Sequence, residues 1–132
     1  MNVNKKSVSF CFRGFELSPE KVEALLRVKV KKGTLGEPVK QNVETKLKRS
    51  YVKFNKQLPD NCRLDEIIPS LFEDLSGIDY LCHIRDLISP EFIEIDVVLR
   101  IKKSDEQEGG FLPHEVLRDI ARLKANLSFQ FL

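Results

Sequence analysis

The sequence predicts an α+β domain: a ferredoxin-like antiparallel sheet built from two β-α-β units, with helices packed mainly on one face. Three observations lead there. Apolar residues alternate with polar ones around Phe10, Ile95 and Phe129, the period of a half-buried strand. Between these stretches, apolar residues recur at three- and four-residue spacing, the period of an amphipathic helix. Residues 10–30 and 93–131 also share one plan, a strand, a proline-led helix and a strand, and paired β-α-β units build such a sheet.

Each element has a local reason. Val8, Phe10 and Phe12 alternate with Ser9, Cys11 and Arg13, and Gly14 closes this first strand. Ser18-Pro19-Glu20 opens a helix, with Ser18 as N-cap, Pro19 at the first helical position and Glu20 at the positive end of the dipole. Val22, Leu25 and Leu26 share its inner face, and it ends near Arg27. Val28-Lys29-Val30 reads as a brief strand. Residues 31–45, with Gly33, Gly36 and Pro38 and little apolar material, read as a mobile loop. Strand character resumes over residues 46–57, where Tyr51 and Lys53 point one way and Val52 and Phe54 the other.

Residues 58–61 form a turn. Ile67, Ile68, Leu71, Phe72 and Leu75 then define a helix, with Pro69 tolerated near its first turn and Gly77 as its stop. A second helical piece spans residues 78–88, with Leu81, Ile84, Leu87 and Ile88 inward, and Ser89-Pro90 ends it. Ile93, Ile95, Val97, Leu99 and Ile101 form the clearest strand; Glu94, Asp96 and Arg100 face the other way, toward water. A polar loop at 102–110 leads to a last helix behind Pro113, with Val116, Leu117, Ile120 and Leu123 inward. Leu127, Phe129 and Phe131 alternate as a terminal strand. In a sheet of this kind the terminal strands lie near the middle.

The 132 residues make one domain, 1–132, and 42% hydrophobic against 32% charged residues is the balance of a globular chain rather than a disordered one. No apolar run approaches the ~20 residues a membrane helix needs, so no membrane association is expected. The N-terminus has positive charge without an apolar segment behind it, so no signal peptide is read, and the sequon Asn126-Leu127-Ser128 carries no weight. Cys11, Cys62 and Cys82 are odd in number and far apart, the usage of reduced thiols in a cytoplasmic protein.

The net charge of +2 conceals a segregation. Residues 27–56 carry ten basic groups against Glu37 and Glu44, whereas residues 57–132 carry eight basic and fifteen acidic groups. Such a dipolar chain can steer a charged partner. The candidate contact residues are Lys29, Lys31, Lys32, Lys40, Lys46, Lys48, Arg49, Tyr51 and Lys53. The same segment could contact nucleic acid, but Tyr51 and Phe54 sit on opposite strand faces, so at most one of them can stack on a base. Gly33-Thr34-Leu35-Gly36 lacks the Gly-Lys-Ser/Thr ending of a phosphate loop.

Catalytic signals are sparse. Asp79, His83 and Asp86 share a helix face, the spacing of a carboxylate-oriented base or a metal site, and equally of an exposed charge cluster. His114 opens a helix, where its proton is disfavoured. Cys11 has no local base to activate it. The two histidines, His83 and His114, are too few to complete a zinc site with the scattered cysteines. The sequence therefore predicts a non-catalytic protein with no cofactor and no metal.

Several segments together resemble one family. They are Ser7-Val8-Ser9-Phe10-Cys11-Phe12-Arg13-Gly14, Ser18-Pro19-Glu20, Lys32-Gly33, Gly36-Glu37-Pro38, residues 64–75 and the closing unit from Leu112-Pro113 to Phe131. The chain resembles the bacterial family catalogued as domain of unknown function 4279. The resemblance implies no reaction and no site residues. The expected function is a protein-binding module, with an immunity protein that silences a toxin as its particular form. Nucleic-acid binding through residues 27–56 is the alternative, and a small-ligand or metal-dependent enzyme using Asp79, His83 and Asp86 is the second. Oligomeric state is left open, a homodimer included.

Overall fold

A computed structural model describes residues 6–100 and 110–132. The elements are β1 (Lys6–Arg13), α1 (Pro19–Leu26), β2 (Lys31–Gly33), β3 (Tyr51–Leu58), α2 (Leu64–Asp74), α3 (Ile78–Ile88), β4 (Phe92–Leu99), α4 (His114–Leu123) and β5 (Asn126–Phe131). The strands form one mixed sheet in the order β2-β3-β1-β4-β5. β1 lies in the middle, antiparallel to both β3 and β4; β2 is antiparallel to β3, and β5 is parallel to β4.

The α+β architecture agrees with the sequence reading, but the strand order does not clearly match a ferredoxin-like sheet. In the second β-α-β unit, β4 and β5 are parallel neighbours joined through α4, the connection that a parallel pair requires. In the first, β3 lies between β1 and β2. The terminal strand β5 is an edge strand and not a central one. Alternation reports that a strand has two faces; it does not report its neighbours.

Register sets the two faces of the sheet. Phe10 pairs with Phe54 and with Ile95, Phe12 with Val52 and Ile93, and Val8 with Val97. These residues share one cluster with Val22 and Leu26 of α1, Ile67, Ile68 and Leu71 of α2, Leu81 and Ile84 of α3, and Ile120 and Leu123 of α4. All four helices therefore pack against one face. The rings of Phe10 and Phe12 meet edge-on at 4.8 Å, a geometry worth about 0.5–1.5 kcal/mol beyond their burial. Lys6, at the end of this face, is buried. Its ammonium donates to the carbonyls of Cys62 at 2.5 Å and Asp60 at 3.3 Å, which offsets its loss of water.

The helix ends follow the sequence closely. The Ser18 hydroxyl accepts a hydrogen bond from the Lys21 amide at 3.3 Å, Pro19 is the first residue of α1, and Arg27 ends it in the left-handed conformation. The Gly77 amide donates to the Phe72 carbonyl at 2.7 Å where α2 stops. Elsewhere the structure corrects the pattern. Leu87 and Leu117 are exposed, because α3 and α4 each bury a narrower stripe than their apolar residues define. The second strand is Lys31–Gly33 and not Val28-Lys29-Val30. Strand β3 starts at Tyr51 rather than at residue 46.

The stretch expected as a mobile loop folds back on itself as an arm. Gly36 donates to Leu47, Leu47 to Glu37, and Val39 to Thr45, all within 2.8–2.9 Å, and Pro38 bridges Lys46. Backbone bonds of this kind leave no side-chain pattern to read. The strand residue Ile101 and most of the polar loop at 102–110 lie outside the described residues.

Pro69 sits in the interior of α2, not in its first turn. It removes the amide that would have bonded the Asp65 carbonyl, and its own ring is exposed. Replacing it should restore a helical hydrogen bond without opening a cavity. Pro69→Ala is expected to stabilise the fold by up to about 3 kcal/mol, read as a higher midpoint in urea unfolding.

Candidate sheet-face site

The sheet has a second face, which no helix of the described residues covers. Register places one row of side chains across it: Lys31 of β2, Lys53 of β3, Cys11 of β1, Glu94 of β4 and Asn126 of β5. A neighbouring row runs from Gly33 through Tyr51 and Arg13 to Phe92. A third holds Asn55, Ser9, Asp96 and Ser128. Together they floor a shallow cleft of about 180 Å³ around Ser9, Cys11, Arg13, Lys53, Glu94 and Asp96.

Opposite charges lie at opposite sides of this face, and they are satisfied unequally. The Glu94 carboxylate accepts from Arg13 Nε at 2.9 Å. Asp96 accepts from the Ser128 hydroxyl at 2.8 Å and from Gln130 Nε2 at 2.9 Å. The acidic side is thus internally compensated. On the basic side, Lys31 and Lys53 face each other directly across β2 and β3, both exposed, with no carboxylate in ion-pairing range among the described residues. Like charges directly opposite on a strand pair are destabilising. Arg13 lies 5.6 Å from the centroid of the Tyr51 ring and extends the cationic edge toward the centre.

Cys11 sits at the midpoint of the row, 4% exposed. Burial raises its thiol above the ordinary value of 9.0; Arg13, which donates to the sulfur at 3.8 Å, opposes this, and Glu94 adds to it. Burial thus favours the protonated thiol over the nucleophilic thiolate.

The predicted contact residues divide into three groups. Lys31, Lys53 and Tyr51 share the open face. Lys29 precedes β2, and Lys40, Lys46 and Lys48 are exposed along the arm. Lys32 and Arg49 are occupied, Lys32 by Glu23 of α1 at 2.8 Å and Arg49 by Glu91 at 3.0 Å. The arm and the β1–α1 turn enclose a second cleft of about 570 Å³, bordered by Leu17, Leu35, Lys48 and Arg49. Arg13, Glu94 and Asp96 were absent from the sequence-predicted contact set. Their matching parity in β1 and β4 was the available signal, but it needs the strand pairing to be known.

The helical cluster does not assemble. Asp79 is held by Arg122 of α4 at 2.6 Å, Asp86 by the adjacent Arg85 at 2.9 Å, and His83 stands beside the Tyr80 ring. Among the described residues, no three His, Cys, Asp or Glu side chains converge where a metal could sit. His114 is 88% exposed and lies 3.3 Å from Glu115. No helix among the described residues is long and apolar enough to cross a membrane.

Fold and site together define a small α+β domain with one polar, charge-segregated sheet face that no helix of the described residues covers. The chain belongs to the family described as Domain of unknown function (DUF4279), whose family model matches residues 3–132. No curated protein and no solved structure matches it.

The buried Cys11 thiol has a consequence for pH. Above about pH 9 the unfolded chain releases this proton and the folded chain keeps it, so the folded state loses stability as pH rises. Cys62, also raised by burial, acts in the same direction. The urea midpoint is expected to fall between about pH 8 and about pH 10, and Cys11→Ala should make that fall shallower. An equal fall in both proteins would rule out Cys11 as a contributor.

Proposed function

We propose that this domain is a non-catalytic protein-binding module that docks an acidic partner on the basic side of its open sheet face. The observation that carries the reading is the uncompensated pair Lys31 and Lys53. The acidic groups of the same face have internal partners; these two lysines have none among the described residues, and holding them opposite each other costs stability. An acidic surface would relieve that repulsion on binding. Tyr51 beside them offers an aromatic anchor of the kind enriched at interfaces.

An immunity protein is the particular form we favour, because a small domain without an assembled catalytic cluster suits a stoichiometric inhibitor. A bacterial, cytoplasmic setting goes with it, supported by three buried free cysteines. For the fold, we propose a ferredoxin-like core from β1 to β4 with α4 and β5 appended. Its support is the antiparallel order β2-β3-β1-β4.

Affinity capture from the source cell at low salt should recover one stoichiometric acidic protein. Lys31→Glu with Lys53→Glu should abolish that capture while leaving the fold intact by circular dichroism. Recovery of nuclease-sensitive material, with affinity falling steeply in salt, would replace this reading with nucleic-acid binding. Undiminished capture by the double variant would reject the surface.

A further inference from the structure

The two edges of the sheet are built differently. β2 is three residues long and carries Lys31 and Lys32; short, charged edge strands resist pairing with another chain. β5 is six residues long, Asn126 to Phe131, with no charge, proline or glycine. Among the described residues nothing pairs with its outer edge. On the helix side Leu127 is half-buried but Phe129 and Phe131 are 38% and 52% exposed, and Ser128 and Gln130 are exposed on the open side. The two rings stack at 6.4 Å with an interplanar angle of 11°, and Leu132 beyond them is also exposed.

We propose that β5 is the interface with a second copy of this chain, the two strands pairing antiparallel across a two-fold axis to make a continuous ten-stranded sheet. The strand is self-complementary. In a register centred on Phe129, Leu127 of one copy faces Phe131 of the other on the helix side, while Ser128 faces Gln130 on the open side. Apolar residues meet apolar ones and polar residues meet polar ones, as cross-strand pairs require. A neutral strand meets no charge repulsion from its own copy. Pairing β5 with β2 of another copy would use only three residues, bring Lys31 and Lys32 to a strand without acids, and leave an edge open for further growth. The closed two-fold arrangement buries both neutral edges at once and leaves both basic edges free.

Sedimentation equilibrium of the whole chain should give twice the chain mass of 15.3 kDa. Phe129→Lys with Phe131→Lys should halve that mass, whereas Lys31→Ser on the other edge should leave it unchanged. Hydrogen exchange on the unaltered chain gives a second reading that needs no variant. Amide protection across residues 126–131 should rise with protein concentration. A single-chain mass at every concentration would overturn the proposal. So would a dimer that persists in the folded double variant, or one whose β5 amides exchange at the same rate at all concentrations.

Discussion

The alternation of β1 is the constraint on which the rest of the structure depends. β1 is the central strand and pairs over its full length with both β3 and β4, so both take their register from it. Val8, Phe10 and Phe12 face the helices, and Ser9, Cys11 and Arg13 face away. A slip of one residue would exchange the two sets, pressing Arg13 into the core and turning two phenylalanines to water. Each such side chain is worth about 1.5–3 kcal/mol when buried, so the register is not negotiable. The helices have one apolar surface to cover, and they cover it.

The same constraint creates the candidate site. A sheet whose helices all lie on one side must show its other side to water or to a partner. Here that side is polar throughout its centre, which favours water, but its charges are sorted rather than mixed. Arg13 spans to Glu94, and Ser128 and Gln130 close around Asp96. What remains uncompensated among the described residues is positive and lies on β2 and β3. The segregation visible along the chain thus survives folding, but in altered form. Lys32 and Arg49 are spent on Glu23 and Glu91, and the arm carries Lys40, Lys46 and Lys48 away from the strand rows.

Much of the fold was legible because its signals are local. The Ser18-Pro19 helix start, the inner stripe of α2 and the alternation of β4 each depend on residues within one element. What was not legible depends on pairing. The insertion of β3 between β1 and β2, the edge position of β5 and the backbone-bonded arm all rest on contacts between segments far apart in sequence. The site divides the same way. Lys31, Tyr51 and Lys53 could be found from charge and parity, whereas the pairing of Arg13 with Glu94 joins residues 81 positions apart. The Asp79, His83 and Asp86 spacing left a site and a plain charge cluster open for a related reason: Arg122, which holds Asp79, comes from another helix.

The claim that the open face is the contact surface can be tested directly by amide chemical-shift mapping with a short glutamate-rich peptide as the acidic probe. The account predicts that the shifts concentrate at Lys31, Gly33, Tyr51, Lys53 and Arg13, and weaken with added salt. Shifts spread evenly over all exposed lysines, or centred on α2 and α3, would contradict it.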